Sequence, residues 1–121
     1  MLFRSGIECA IRNILSNGDK VAVPVNGVFS ERLRNAVSAF GGKGIDIPIE
    51  WGKAITPPQV EELFRRESNI KAFAVVYNET STGATTRNLK EIGEICHEHD
   101  ALFIVDAISI LGGDEIGRAH V

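Results

Sequence analysis

Apolar residues in this chain alternate between two rhythms. Ile7, Ala10, Ile11, Ile14 and Leu15 recur at helical spacing, and Gly18 after Ser16-Asn17 supplies a stop signal. Val21, Val23 and Val25 then alternate in a short strand from Lys20 to Val25, which closes at Asn26-Gly27. Helical spacing returns from Phe29 to Phe40: Leu33, Ala36, Val37 and Phe40 share one stripe, and Gly41-Gly42 ends it. Ile45, Ile47 and Ile49 alternate with Asp46, Pro48 and Glu50. Proline cannot donate to a strand ladder, so this strand belongs near a sheet edge. Thr56-Pro57-Pro58-Gln59 opens a helix, with Thr56 at the N-cap, Pro57 at the first turn and Gln59 completing a capping box. Val60, Leu63 and Phe64 form its inner face. Ile70 to Tyr77 is a nearly continuous apolar strand; Asn88 and Glu91 then offer a second cap before Leu89, Ile92, Ile95 and Cys96. In the last run, Ala101 to Ser109, five consecutive apolar residues lead into Asp106, the pattern of a strand covered on both faces.

The order is therefore αβαβαβαβ, with no internal repeat, low-complexity tract or linker. Such alternation predicts an α/β fold in three layers, αβα, with a mostly parallel sheet. The 121 residues suffice for one domain. Because they begin with a helix and stop soon after a strand, residues 1–121 read as a single partial domain, the middle of a larger one.

Composition narrows the class only a little. Hydrophobic content of 44% and charged content of 24% are ordinary for a globular chain. A net charge of −3 leaves no basic footprint for nucleic acid. No apolar run approaches a membrane span, and the first residues lack the apolar core of a secretory signal. Cys9 and Cys96, far apart and outside any paired-cysteine motif, fit reduced thiols in a cytoplasmic protein.

Three places suggest chemistry. In open α/β sheets ligands bind beyond the carboxyl ends of the strands, where Asp106 falls; a helix N-cap or a solvated strand end is the other reading of that carboxylate. Tyr77-Asn78-Glu79-Thr80-Ser81-Thr82-Gly83 opens at the same end, rich in small hydroxyls suited to a polar ligand, although such clusters also simply make turns. Phe29 follows the first strand and its Asn26-Gly27 turn, where an aromatic can stack on a planar ligand or serve as a hydrophobic staple.

These stretches, Asn26-Gly27-Val28-Phe29-Ser30-Glu31-Arg32, Asn78-Glu79-Thr80-Ser81-Thr82-Gly83 and Val105-Asp106-Ala107-Ile108-Ser109 with Leu111-Gly112-Gly113 behind, closely resemble the class V aminotransferases. The resemblance is to the alanine–glyoxylate and serine–pyruvate branch, runs in register from about Glu8 to Gly113, and rests on three motifs in the right order. It implies a large domain of pyridoxal 5'-phosphate (PLP) fold type I. The implied activity moves an amino group between a small amino acid and a 2-oxo acid, in a homodimer. Asp106 matches the aspartate that keeps the cofactor's pyridine nitrogen protonated, so that the ring can accept electrons. Phe29 matches the aromatic stacked on the ring, and Ser81 a hydroxyl beside the cofactor. Glu79, Thr80 and Thr82 would shape the pocket.

The departures bear on activity. Met1-Leu2-Phe3-Arg4-Ser5-Gly6 keeps little of the family's phosphate-binding turn. The family's Schiff-base lysine follows the aspartate, and Lys20, Lys43, Lys53, Lys71 and Lys90 do not match it. The expectation is a fragment without a catalytic residue of its own, inactive alone and prone to self-association; no metal is implied. Two other classes stay open. A flavodoxin- or receiver-like binding domain would need more carboxylates at strand ends, where this chain has Val25-Asn26 and Tyr77-Asn78. A non-catalytic truncated paralogue or interaction module is the other.

Overall fold

The structure, a computed structural model, describes residues 2–114. Its elements in chain order are α1 (Leu2–Ile14), β1 (Lys20–Pro24), α2 (Val28–Ala39), β2 (Lys43–Ile47), α3 (Pro57–Arg66), β3 (Ile70–Val76), the short β4 (Asn78–Glu79) and β5 (Ala84–Thr85), α4 (Leu89–Glu98) and β6 (Leu102–Asp106). Side-chain alternation in the strands decides where the helices go. Val21 and Val23 of β1 and Ala72, Ala74 and Val76 of β3 pack with Ile11 of α1 and Leu33 and Val37 of α2. The intervening Ala22, Phe73 and Val75 face the other way, onto Val60 and Leu63 of α3 and Ile92 and Cys96 of α4. Two helices on each side of one sheet give the three αβα layers that the sequence predicts.

The sheet runs β2-β1-β3-β6, with every neighbouring pair parallel. From β1 the chain moves outward to β2, then returns through α3 to the far side of β1 and continues with β3 and β6. Between β1 and β3 the direction of winding therefore reverses, and the carboxyl ends of two adjacent strands separate into a crevice.

Several local expectations meet the structure directly. β2 is an edge strand, and Pro48 falls just beyond it. Gln59 Oε1 accepts the Thr56 backbone N–H at 2.9 Å and the Thr56 hydroxyl at 3.1 Å, closing the start of α3. Gly41, at φ +84, takes the left-handed conformation that stops α2. Others need correction. β6 is an edge of the described sheet, not a strand covered on both faces: Leu102 is 46% exposed and Phe103 to Asp106 are half-buried. Phe103 and Val105 pack towards α4 and Ile104 towards α1 and α2, but each meets its cluster only partly because the sheet has no further strand there among the described residues. Asn88 stands at the N-cap of α4, yet its side chain makes no capping hydrogen bond. The stretch after Tyr77 is a small antiparallel hairpin of β4 and β5.

Cys9 is exposed and Cys96 buried, both free thiols; burial pushes the Cys96 thiol up to about 12. Among the described residues, no helix is long and apolar enough to cross a membrane.

Candidate functional site

The loops after β1 and β3 meet at the crevice, and their polar groups interlock. The Asn26 carbonyl accepts the Thr82 hydroxyl at 3.0 Å, while the Asn26 side-chain amide donates to the Lys53 carbonyl at 2.8 Å. Ser30 Oγ accepts the Asn26 and Gly27 N–H groups at 3.0 and 3.1 Å, bending the chain into α2. The far side of this junction is closed by Glu79, which is fully buried. Its carboxylate accepts the Ser30 N–H at 2.8 Å, the Phe29 N–H at 3.2 Å and the Ser81 hydroxyl at 2.7 Å. Burial alone raises the pKa of Glu79, but the donors from Ser30, Ser81 and Phe29 outweigh it and hold the carboxyl below its ordinary value.

On the α1 and α2 side of the crevice lies a hollow of about 590 Å³. Phe29 and Asp106 both line it, so the structure brings these two sequence-derived candidates together. One Asp106 oxygen accepts the Ile108 N–H at 3.1 Å; the other makes no hydrogen bond among the described residues. The Arg32 guanidinium lies 5.3 Å from the centre of the Phe29 ring. Asn78 and Ser109 form the polar wall, joined by bonds from the Asn78 side-chain amide to Ser109 Oγ at 3.2 Å and from the Ser109 hydroxyl to the Asn78 carbonyl at 3.1 Å.

Ser81 does not line the hollow. Its hydroxyl is engaged behind the wall, accepting the Val28 N–H at 2.9 Å while donating to Glu79. Thr80 lines the hollow instead, and its hydroxyl makes no hydrogen bond among the described residues. The signal for this was present in the sequence. Val76, Asn78 and Thr80 all border the hollow, continuing the two-residue period of β3 through β4, which turns Ser81 to the opposite side. Glu79 lies on that opposite side too, and its capping role was missed.

Ser5 is exposed and borders neither hollow; Gly6 borders a smaller one of about 380 Å³ beside β6. No lysine lines the larger hollow, and Lys20 and Lys53 pair with Glu67 at 3.4 Å and Glu50 at 2.8 Å. The hollow as built suits a flat, nitrogen-bearing ring, since it offers an aromatic face, a carboxylate with a spare acceptor and small polar groups at the rim.

An α/β scaffold with its crevice at the winding reversal is shared by many ligand-binding proteins; comparison with known proteins makes the class specific. The sequence pattern described as Aminotransferase class-V matches residues 4–118, and the chain belongs to that family. An uncharacterized aminotransferase of Methanocaldococcus jannaschii is 48% identical over 120 residues, 97% of this chain and 31% of that protein. The crystal structure of ureidoglycine–glyoxylate aminotransferase from Bacillus subtilis superposes with a TM-score of 0.88 at 35% identity, over 94% of this chain and 29% of that one. That of an alanine–glyoxylate aminotransferase from Nostoc sp. gives 0.81 at 31% identity, over 90% and 28%. The chain thus spans about three-tenths of the length of the relatives it matches.

Proposed function

We propose that this chain carries the ring-binding part of a PLP-dependent transaminase, which moves an amino group between a small amino acid such as alanine or serine and a 2-oxo acid such as glyoxylate or pyruvate. The observation that carries the reading is the shared hollow of Phe29 and Asp106 at the carboxyl ends of the strands. Membership of the class-V family and the glyoxylate named for both superposed relatives support it.

When bound, PLP supplies an electron-accepting ring, which serves best with its nitrogen protonated. Asp106 holds that proton in place through its spare oxygen, while the Ile108 N–H fixes the carboxylate's orientation. Phe29 covers one ring face and excludes water from it. Thr80 stands at the rim as a hydroxyl contact, and Ser81 supports the wall behind it. None of the five lysines here lines the hollow, so none of them is placed as the proton-transferring amine. The reading carries with it a cytoplasmic homodimer, in keeping with the free thiols and with the exposed apolar residues beside β6.

Equilibrium dialysis of the purified chain against PLP tests the reading. Asp106→Ala removes the charge facing the ring nitrogen and should weaken binding by about 3 kcal/mol or more, over a hundredfold. Undiminished binding by Asp106→Ala would contradict the assigned site.

A further inference from the structure

We propose that Glu79 is a positioning residue: by capping the first turn of α2 it fixes where Phe29 presents its ring to the hollow. This deepens the cofactor-site reading and rests on it.

The geometry is specific. Glu79 does not line the hollow, so it acts through another residue. Val28, Phe29 and Ser30, the first three residues of α2, all present their N–H groups to the hairpin that follows β3. Val28 donates to Ser81 Oγ, and Phe29 and Ser30 to the two oxygens of Glu79. Phe29 cannot shift its backbone without leaving amides without partners at a buried junction. The Ser81 hydroxyl, bonded to both Val28 and Glu79, holds the carboxylate to the helix. Among the described residues Glu79 has no cationic partner, so these amides and hydroxyls are what balance its charge.

The chain is shaped to receive that carboxylate. A Cβ at Gly27 would lie 2.4 Å from Glu79 Cγ and Cδ and 2.6 Å from Ser81 Oγ. Gly27 has extended backbone, so space and not conformational freedom selects glycine here. Arg32 over the ring then restrains the side chain that Glu79 anchors by its backbone. One further consequence is that the protein's own carboxylate occupies the positive end of α2, leaving no free amides there for an anionic ligand.

Two variants disturb the cap by different routes. Glu79→Gln removes the charge at constant size, and Gly27→Ala drives a methyl into the carboxylate without changing it. The probe is PLP, added to the purified 121-residue chain, and the readouts are dialysis affinity and nuclear Overhauser contacts of the Phe29 ring. Each variant should weaken affinity roughly tenfold and lose the ring contacts with Arg32. In a Phe29→Leu background, Glu79→Gln should produce no further weakening, because a residue acting through the ring has nothing left to position. An undiminished effect of Glu79→Gln in that background, or ring contacts unchanged in both variants, overturns the proposal. Should either variant fail to fold, the wild type still decides: the Phe29 and Ser30 amide protons should titrate together with one carboxyl group, and independent behaviour refutes the cap. Failure of the cofactor-site reading is separately visible, as absent PLP binding or binding unaffected by Asp106→Ala, and the ring contacts then judge Glu79 alone.

Discussion

A carboxylate cut off from water persists only where donors replace its hydration. At Glu79 those donors are two amides from the first turn of a helix and one hydroxyl. Because they hold its pKa below the ordinary 4.5, Glu79 adds stability above that value and loses it as the pH falls through the lower, folded value. Denaturation midpoints measured between about pH 6 and about pH 3 should therefore fall more steeply for the wild type than for Glu79→Gln. Equal slopes would show that the carboxyl is not held in its charged form. This residue also marks where sequence reading stops. Asp106 is legible because it ends an apolar run, and Phe29 because it follows a strand and a turn. Glu79 stands between Asn78 and Thr80 with nothing to distinguish it from a solvated acid, since its burial depends on a contact 49 residues away with Ser30. Ser81 and Thr80 are chemically alike neighbours, and only the register carried over from β3 separates the one facing the hollow from the one behind it.

Elements were the most readable level, because each helix carries an apolar stripe and each strand its own period. The two helix caps show how far such signals reach. Both Thr56-Pro57-Pro58-Gln59 and Asn88 with Glu91 read as helix starts, and helices do start there. Only the first is closed by side chains. Gln59→Ala should thus cost about 1 kcal/mol in urea denaturation, whereas Asn88→Ala should stay within about 0.5 kcal/mol of wild type. A large loss at Asn88 would mean that its amide caps α4 after all. The misjudged coverage of β6 has a related origin. A run of apolar residues reports that the strand is meant to be covered, but not whether the covering belongs to the same stretch of chain.

For the whole molecule, that mismatch has a physical result. β6 presents an unpaired ladder edge among the described residues, with Leu102 exposed on the strand and Ile108 and Leu111 exposed after it, 65% and 76%. Such an edge invites pairing with another chain. Sedimentation velocity of the 121-residue chain should show mass rising with concentration, and Leu102→Lys should suppress it; concentration-independent monomers would show the edge to be protected. The crevice itself has a different implication, for anyone recombining this sequence with its relatives. The turn after β1 and the hairpin after β3 share one set of donors and acceptors, with Gly27 vacating the volume that Glu79 fills. Neither half has a self-sufficient conformation to transplant. A crossover point falling between them, anywhere from α2 to β3, would unite halves shaped by different partners, so viable chimaeras should inherit both loops from one parent.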